Sequence, residues 1–183
     1  MTVDEIFKKI SERKILGVMT HDYMVDYFHF LNLDGYKKMQ EYHAEHEMKD
    51  FRHLHTFYIN HYSKLVPDME FERIDIIPSS WYEHVRSDVD TNTKRSAVKD
   101  AFIKWKEWEK ETKKVYEQAY KELFDMGEIL ASVEVMKLIE DVNDEIKWVC
   151  KYCMDLANMD YSMSFIIGEQ ERFKKLYKDK LYK

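Results

Sequence analysis

The sequence predicts an all-α protein that folds as a four-helix bundle, and three observations support this class. Only four Gly and two Pro occur in 183 residues, and both residue types interrupt helices. Apolar residues recur at helical spacing through four long segments. Both prolines lie in one polar stretch, at about residues 66–94, which is therefore expected to be a long connection between the second and third helices. The length suits a single domain that covers residues 1–183.

The first two helices are predicted to form an antiparallel hairpin. Thr2 and Glu5 have the spacing of a capping box at the start of the first helix, which extends to about Leu31. A short turn at Asn32–Gly35 follows, and the second helix covers about Asp34–Leu65. Because the turn is short, the second helix is expected to run back along the first.

Three further helices are predicted after the connection. The third covers about Lys94–Met126 and the fourth about Ser132–Ala157, with the turn between them at Gly127 or at Ala131–Ser132. A short fifth helix begins at about Tyr161 and leads into the basic sequence KKLYKDKLYK. Cations near the C-terminus of a helix interact favourably with its dipole, so this sequence is interpreted as a solvated helix end.

Composition and motifs disfavour several classes of function. The formal net charge of −6 disfavours direct nucleic-acid binding, because phosphates require a positive surface. No segment resembles a membrane span or a signal peptide, so a cytoplasmic location is expected. Cys150 and Cys153 form a CxxC pair without a second pair, and we interpret them as two small buried side chains. Neither a nucleophile in a triad setting nor a Gly-rich phosphate loop is recognisable in the sequence, so an enzyme is not favoured.

The second helix carries a polar stripe within the histidine-rich stretch of residues 40–62. His43, Glu47, Asp50 and Leu54 are spaced by four, three and four residues, which places them on one side of the helix. Acidic and imidazole groups on such a stripe can form a metal site inside a bundle. The other histidines are interpreted as surface or satisfied core groups, and His43 with Glu47 is the pair to test for metal.

With its helices placed, the sequence resembles the ferritin-like superfamily, and bacterioferritin most closely, over about residues 10–157. The second helix reads EYHAEHEMKD where the family has an acid followed by MKH. The fourth helix reads DEIKW where the family has an acidic run, His, two residues and Trp. The resemblance implies a ferritin-like bundle with a crossover between the second and third helices. That family holds two iron ions with Glu and Glu-x-x-His ligands on its four helices.

The resemblance transfers this ligand set only in part. Glu47 and Glu109 match glutamate ligands, whereas the other positions carry Lys14 for the first-helix Glu, Asp50 for the second-helix His, and Val142 and Glu145 for the fourth-helix Glu and His. An ammonium repels a metal ion, so Lys14 is expected to form a core ion-pair network with the acids instead of a cofactor. The alternative is a surviving iron or manganese site formed by Glu47, Asp50, Glu109 and Glu145, with His43 or Glu12 assisting.

A second resemblance is to small uncharacterised proteins of phages and prophages of Gram-positive bacteria. It is carried by DYFHFLNLDGY, by FYINHYSKLVP and by PSSWYEHVRSDVDTNTKRSAVKDAF at residues 78–102. The resemblance implies a mobile-element protein that acts in the host cytoplasm by binding and blocking a host factor, such as a nuclease of CRISPR immunity.

The polar connection offers a candidate partner-binding surface, with a short helix expected near Trp81–Arg86. Aromatic and cationic side chains commonly anchor interfaces, and this region carries Trp81, Tyr82, Arg86, Lys94 and Arg95. The alternative is that the rings pack on the bundle. The leading expectation is a non-enzymatic protein-binding module that needs no cofactor and forms a homodimer. The alternative function is a metal-binding or ferroxidase-like di-metal carboxylate protein.

Overall fold

The computed structural model describes residues 1–71, 81 and 84–178, and this part of the chain contains helices and no strands. The five α-helices are α1 (Val3–Phe30), α2 (Asp34–Tyr62), α3 (Thr91–Asp125), α4 (Ile129–Asn158) and α5 (Met163–Leu176). A 3₁₀ turn covers Arg86–Asp88. The predicted all-α class and the five helices are therefore confirmed. None of the described helices is long and apolar enough to cross a membrane.

The hairpin of α1 and α2 is built as the sequence predicts. The Thr2 hydroxyl accepts a hydrogen bond from the Glu5 backbone N–H at 3.2 Å, and the Glu5 carboxylate accepts one from the Thr2 backbone N–H at 2.7 Å. This capping box satisfies N–H groups that have no partner within the helix. The turn to α2 places Asn32 in the left-handed region with φ 58°, a conformation that Asn tolerates better than most residues.

The third helix begins earlier than predicted. Asp90 Oδ1 accepts a hydrogen bond from the Thr93 backbone N–H at 2.7 Å, so α3 starts at Thr91 rather than at about Lys94. The surrounding run of polar residues is typical of a loop. Here, however, it supplies the side-chain cap, because a short acidic side chain can accept from the first free N–H groups of a helix.

The turn between α3 and α4 lies at Gly127, the first of the two predicted positions. Gly127 has φ 79°, a left-handed conformation that is accessible to Gly without a steric penalty. The chain therefore re-enters a helix at Ile129, and the fourth helix begins before the predicted Ser132. Ala131 and Ser132 are buried residues of its first turn rather than part of the connection.

The contacts between helices define their directions. Short turns make α1 antiparallel to α2 and α3 antiparallel to α4. Three of the contacts that join α2 to α4 are Tyr36 with Tyr152, His43 with Glu145, and His53 with Glu134. The residue numbers rise along α2 while those of their partners on α4 fall. Helices α2 and α4 are therefore antiparallel, and it follows that α2 and α3 point in the same direction.

The buried interior consists of two apolar clusters with polar residues between them. One cluster includes Phe28, Tyr36, Phe102, Trp105, Tyr152 and Phe173, and the other includes Ile6, Phe7, Leu54, Tyr58, Tyr116 and Val135. Between the parts of α1 that enter these clusters, its buried residues are Ser11, Lys14, Gly17, Thr20 and His21. We call the buried and partly buried ionisable residues at this level the central polar layer, formed by Lys14, His21, His43, Glu47, Asp50, Glu109 and Glu145.

Helix α5 packs on the start of α2 through a close backbone contact. Gly35 is buried, and a Cβ atom added to it would lie 2.0 Å from the backbone carbonyl oxygen of Gln170. The neighbouring Tyr36 hydroxyl donates to the Ile166 carbonyl at 3.3 Å. Only Gly allows the two backbones to approach this closely, so Gly35 sets the position of α5.

Candidate metal centre

Lys14 is the cation of the central polar layer. Its ammonium lies 2.9 Å from Glu47 Oε2 and 2.8 Å from Asp50 Oδ2, and only 3% of the side chain is exposed. Burial acts to lower the pKa of Lys14, but the acidic groups that face it outweigh burial and raise this pKa well above its ordinary value. Lys14 is therefore charged, and it forms ion pairs with two of the carboxylates predicted as metal ligands.

Glu109 occupies the α3 side of the layer. Its carboxyl is almost fully buried, and its Oε1 accepts a hydrogen bond from the Trp105 indole N–H at 3.0 Å. Burial, reinforced by the nearby carboxylates of Glu145 and Glu47, raises the pKa of Glu109 well above its ordinary value. The surroundings therefore favour the neutral form of Glu109, and a protonated carboxyl is a poor metal ligand.

His21 presents a buried nitrogen with an available lone pair. Its Nδ1 lies 2.7 Å from Gln40 Oε1, and because an amide oxygen only accepts, Nδ1 carries the hydrogen. Burial lowers the pKa of His21 to about 4, so the ring is neutral at physiological pH and Nε2 is unprotonated. The side chain is fully buried, and Nε2 has no hydrogen-bond partner among the described residues. Buried polar atoms normally have a partner, so this nitrogen requires an explanation.

The unpartnered nitrogen of His21 faces a carboxylate and a second imidazole. Glu145 Oε1 lies 3.9 Å from His21 Nε2 and 3.0 Å from His43 Nδ1. One ligand atom from each of the three residues lies within 4.8 Å of the other two. In a tetrahedral zinc site, with bonds of about 2.0–2.1 Å, neighbouring ligand atoms are about 3.3 Å apart. The two measured separations of 3.0 Å and 3.9 Å lie on either side of this value, so a small contraction would bring the three atoms around one ion.

The contact between His43 and Glu145 is not a well-aligned hydrogen bond. Although His43 Nδ1 is 3.0 Å away, Glu145 Oε1 has no hydrogen-bond partner with acceptable angles in the described part of the chain. Burial acts to raise the pKa of Glu145, but His43, His21 and Lys14 outweigh burial and lower it. The group is therefore an ionised carboxylate, the form that binds metal ions.

The surrounding side chains hold the two imidazoles in place. Trp105 packs its indole edge-on against His21 and His43, with ring centroids 5.3 Å and 4.9 Å apart. Gln40 fixes the tautomer of His21 in the way that hydrogen-bonded neighbours fix metal-binding histidines. A cavity of about 230 Å³ is lined by His43 and Glu145 and reaches the surface beside Asp144. This cavity has room for water at an open coordination position.

The structure divides the five predicted metal ligands among three environments. Glu47 and Asp50 face Lys14, Glu109 faces Trp105, and only His43 and Glu145 belong to the group with three ligand atoms. Glu12, the other residue expected to assist a metal site, does not belong to this group of three. Glu12 lies on another side of α1, where its Oε1 accepts from the Glu70 backbone N–H at 2.7 Å, because residues two apart do not share a helix face.

The third member of this group, His21, was not predicted from the sequence. It follows Lys14 by seven residues and Gly17 by four, so it lies on the same stripe of α1 that is buried in the bundle. The sequence therefore did contain a signal for His21, because this polar residue continues the buried stripe of α1 beyond Lys14. The histidine-rich stretch of α2 was the more conspicuous signal for a metal site, but it did not identify His21.

The predicted partner-binding residues Trp81 and Arg86 contact their own chain. Trp81 packs edge-on against Tyr27, with ring centroids 5.0 Å apart, as the alternative interpretation of the rings expected. The Arg86 guanidinium donates to the carbonyls of His29, at 2.8 Å, and Phe30, at 3.2 Å, and also contacts Asn32 Oδ1. The last carbonyls of a helix lack partners within it, which explains why a guanidinium binds there.

Arg95 has a similar role at the turn between α4 and α5. It donates to the backbone carbonyls of Tyr161 at 2.9 Å and Asp160 at 2.6 Å. Lys94 is half-buried in the first turns of α3. Tyr82 lies outside the described residues. The guanidinium groups of Arg86 and Arg95 thus donate to backbone carbonyls at the ends of helices in the same chain.

Comparison of the chain with models of protein families, with curated proteins and with solved structures finds no match. Function is therefore inferred from the geometry of the central polar layer and of the surface.

Proposed function

We propose that the protein binds a single divalent transition-metal ion through His21, His43 and Glu145. The observation that carries this proposal is the fully buried Nε2 of His21, which has no hydrogen-bond partner among the described residues and faces an ionised carboxylate. A bound ion would satisfy His21 Nε2 and Glu145 Oε1 together. Each of the three ligands comes from a different helix, so binding would also tie α1, α2 and α4 together.

The chemistry of the ligands indicates the class of ion. Two imidazole nitrogens and one carboxylate suit zinc, iron and manganese, whereas calcium and magnesium prefer ligand sets made of oxygen. Three protein ligands beside a cavity leave a coordination position for water, which such an ion would make more acidic. Lys14 does not oppose binding strongly, because Glu47 and Asp50 neutralise its charge.

The helix directions support a ferritin-like arrangement for the bundle. Helices α2 and α3 point in the same direction, so the chain between them must travel the length of the bundle. The described ends of that connection fit this path. Lys64 pairs with Asp4 near the start of α1, and Arg86 binds carbonyls at the end of α1. We infer the crossover predicted at about residues 66–94 on this basis.

Calorimetric titration with Zn²⁺ and Mn²⁺, and with Fe²⁺ under anaerobic conditions, tests the metal proposal. We expect one equivalent of at least one of these ions to bind. The variants His21→Ala and His43→Ala should each weaken binding at least about 100-fold, because removing a ligand should cost no less than disturbing its hydrogen-bonded neighbours. His53→Ala is the matched control, since His53 is exposed and contacts only Glu134 among the described residues, and it should bind like the wild type.

A second measurement separates loss of a ligand from loss of folding. Gln40→Leu keeps the His21 ring but removes its orienting acceptor, and we expect about 10- to 100-fold weaker binding with an unchanged circular dichroism spectrum. Two equivalents of iron or manganese that are lost on Glu47→Ala and Glu109→Ala would instead support the di-metal carboxylate site. Absence of binding to all three ions would overturn the proposal.

A second candidate function is protein binding, and an exposed apolar surface favours it. The turn between α3 and α4 presents five apolar side chains that are 43–61% exposed, which we call the hairpin surface, formed by Phe124, Met126, Ile129, Leu130 and Val133. Contiguous exposed apolar side chains commonly mark protein interfaces. We propose this surface, rather than the polar connection, as the one that would contact a host factor such as a defence nuclease, or a second copy of the chain.

The substitution of both Phe124 and Leu130 by Ser tests the role of the hairpin surface. If the protein blocks a CRISPR nuclease of a Gram-positive host, the double variant should lose most of that inhibition while its unfolding midpoint stays near the wild-type value. Met154→Ser is the control, because Met154 is 64% exposed but lies elsewhere on α4. Equal inhibition by both variants, or no inhibition by the wild type, would exclude this candidate. Light scattering of the same samples reports whether the surface forms a homodimer.

A further inference from the structure

Five lysines surround one hollow in the surface of this acidic chain. Its volume is about 370 Å³, and we call it the basic hollow, lined by Asp34, Lys37, Lys38, Lys174, Lys175 and Lys178. The lysines come from the first turns of α2 and from the end of α5. The chain as a whole has a formal net charge of −6, so this concentration of positive charge differs from the rest of the surface.

Part of this positive charge remains after its acidic neighbours are counted, because five lysines and a single carboxylate, that of Asp34, line the hollow. Lys37 lies 3.3 Å from Glu41, and Lys174 lies 2.8 Å from Glu171. No ion pair within the described residues involves Lys38, Lys175 or Lys178. The uncompensated ammonium groups repel one another across the hollow, and a multiply charged anion would relieve this repulsion.

The two helix ends that carry the lysines are held firmly together. The close contact of Gly35 with the Gln170 carbonyl fixes α2 against α5 one residue after Asp34. The start of α2 also lacks a side-chain cap, since Leu33 occupies the cap position. The start of a helix favours anions, and here the carboxylate of Asp34 in the first turn of α2 takes that place beside the lysines.

We propose that the basic hollow binds a short chain of linked phosphate groups, as carried by inorganic tripolyphosphate or by a nucleoside triphosphate. Lysine ammonium groups bind phosphate oxygens as point charges, and five lysines line a hollow whose volume suits a compact polyanion. None of the residues known to line the hollow is aromatic, so it offers no surface on which the bases of a nucleic acid could stack. This site is separate from the proposed metal centre and does not depend on it.

Calorimetric titration of the full chain with sodium tripolyphosphate, ATP and orthophosphate, in the presence of a chelator, tests this proposal. We expect tripolyphosphate to bind measurably and more tightly than orthophosphate. The double variant with Lys38→Gln and Lys175→Gln should weaken binding at least about tenfold, because each lost charged hydrogen bond has an effect of this order. The matched control carries Lys110→Gln and Lys121→Gln, which remove the same charge from exposed positions of α3 and should leave binding unchanged.

Comparing the titrations with ATP and with tripolyphosphate identifies the kind of molecule that carries the phosphates. Similar affinity for ATP and tripolyphosphate supports recognition of the phosphate chain alone, and tighter binding of ATP that is lost in the double variant identifies a nucleoside triphosphate. Three results would overturn the proposal: no binding of either ligand, equal loss of binding in the double variant and its control, or tighter binding of a single-stranded oligonucleotide than of both ligands. The chelator keeps these outcomes independent of metal binding.

Discussion

Replacing Lys14 with methionine should lower the free energy of unfolding by about 3–5 kcal/mol, because it leaves buried acidic groups without their cation. Glu47 and Asp50 lie within 2.9 Å and 2.8 Å of the ammonium, and both keep only a small exposed area. Urea denaturation in the presence of a chelator measures the effect. Lys8→Met is the matched control, since Lys8 is more exposed and pairs at 3.4 Å and 3.8 Å, and it should cost less than about 1 kcal/mol.

A compensating variant shows whether charge is the cause. If Glu47→Gln and Asp50→Asn are added to Lys14→Met, no ionised group of the trio is left unpaired, and we expect most of the lost stability to return. A Lys14→Met variant as stable as the wild type would contradict the ion-pair network. A loss that the two amides do not restore would point to packing of the long side chain instead.

Replacing Gly35 with alanine should destabilise the protein by about 1–3 kcal/mol or more, because the new methyl group has no space. It would lie 2.0 Å from the Gln170 carbonyl oxygen, and this atom belongs to the backbone, so relief requires movement of α5. Thermal unfolding measures the loss. Limited proteolysis should show faster cleavage within α5.

Gly168→Ala, on the helix that packs against Gly35, is a matched control. Its added methyl group meets no atom within 4 Å, so only the helix preference of alanine acts, and we expect about 0.5–1 kcal/mol of stabilisation. If both substitutions changed the unfolding temperature in the same direction, the close contact between α2 and α5 would not be the cause.

The helices could be predicted from the sequence because their causes are local. Few Gly and Pro, helical spacing of apolar residues and the capping box of Thr2 and Glu5 all act within a few residues. The start of α3 was misplaced because Asp90 is a polar residue among others, and only its hydrogen bond to Thr93 distinguishes a cap from a loop. Boundaries therefore depend on single side chains that composition does not reveal.

The residues of the candidate site could be predicted only where the side chains that meet lie on the same helix. Glu47 and Asp50 share a side of α2, so their closeness follows from the helical repeat, and an acidic pair in a core requires a cation such as Lys14. His21 lies near Glu145 because of the position of α1 along the bundle axis relative to α4. Nothing in the local sequence of either helix determines that relative position. The cationic residues of the connection were assigned to a partner because their acceptors are backbone carbonyls, which a sequence does not display.

The position of the central polar layer between two apolar clusters has a consequence for how the helices find their alignment. Apolar contacts are nearly non-directional, so the two clusters alone would tolerate a shift of α1 along α2 by one helical turn, about 5.4 Å. Such a shift would carry the Lys14 ammonium to the level of Ile10 or Val18, away from both of its carboxylates. The layer therefore selects one register among several that hydrophobic burial alone would leave close in energy.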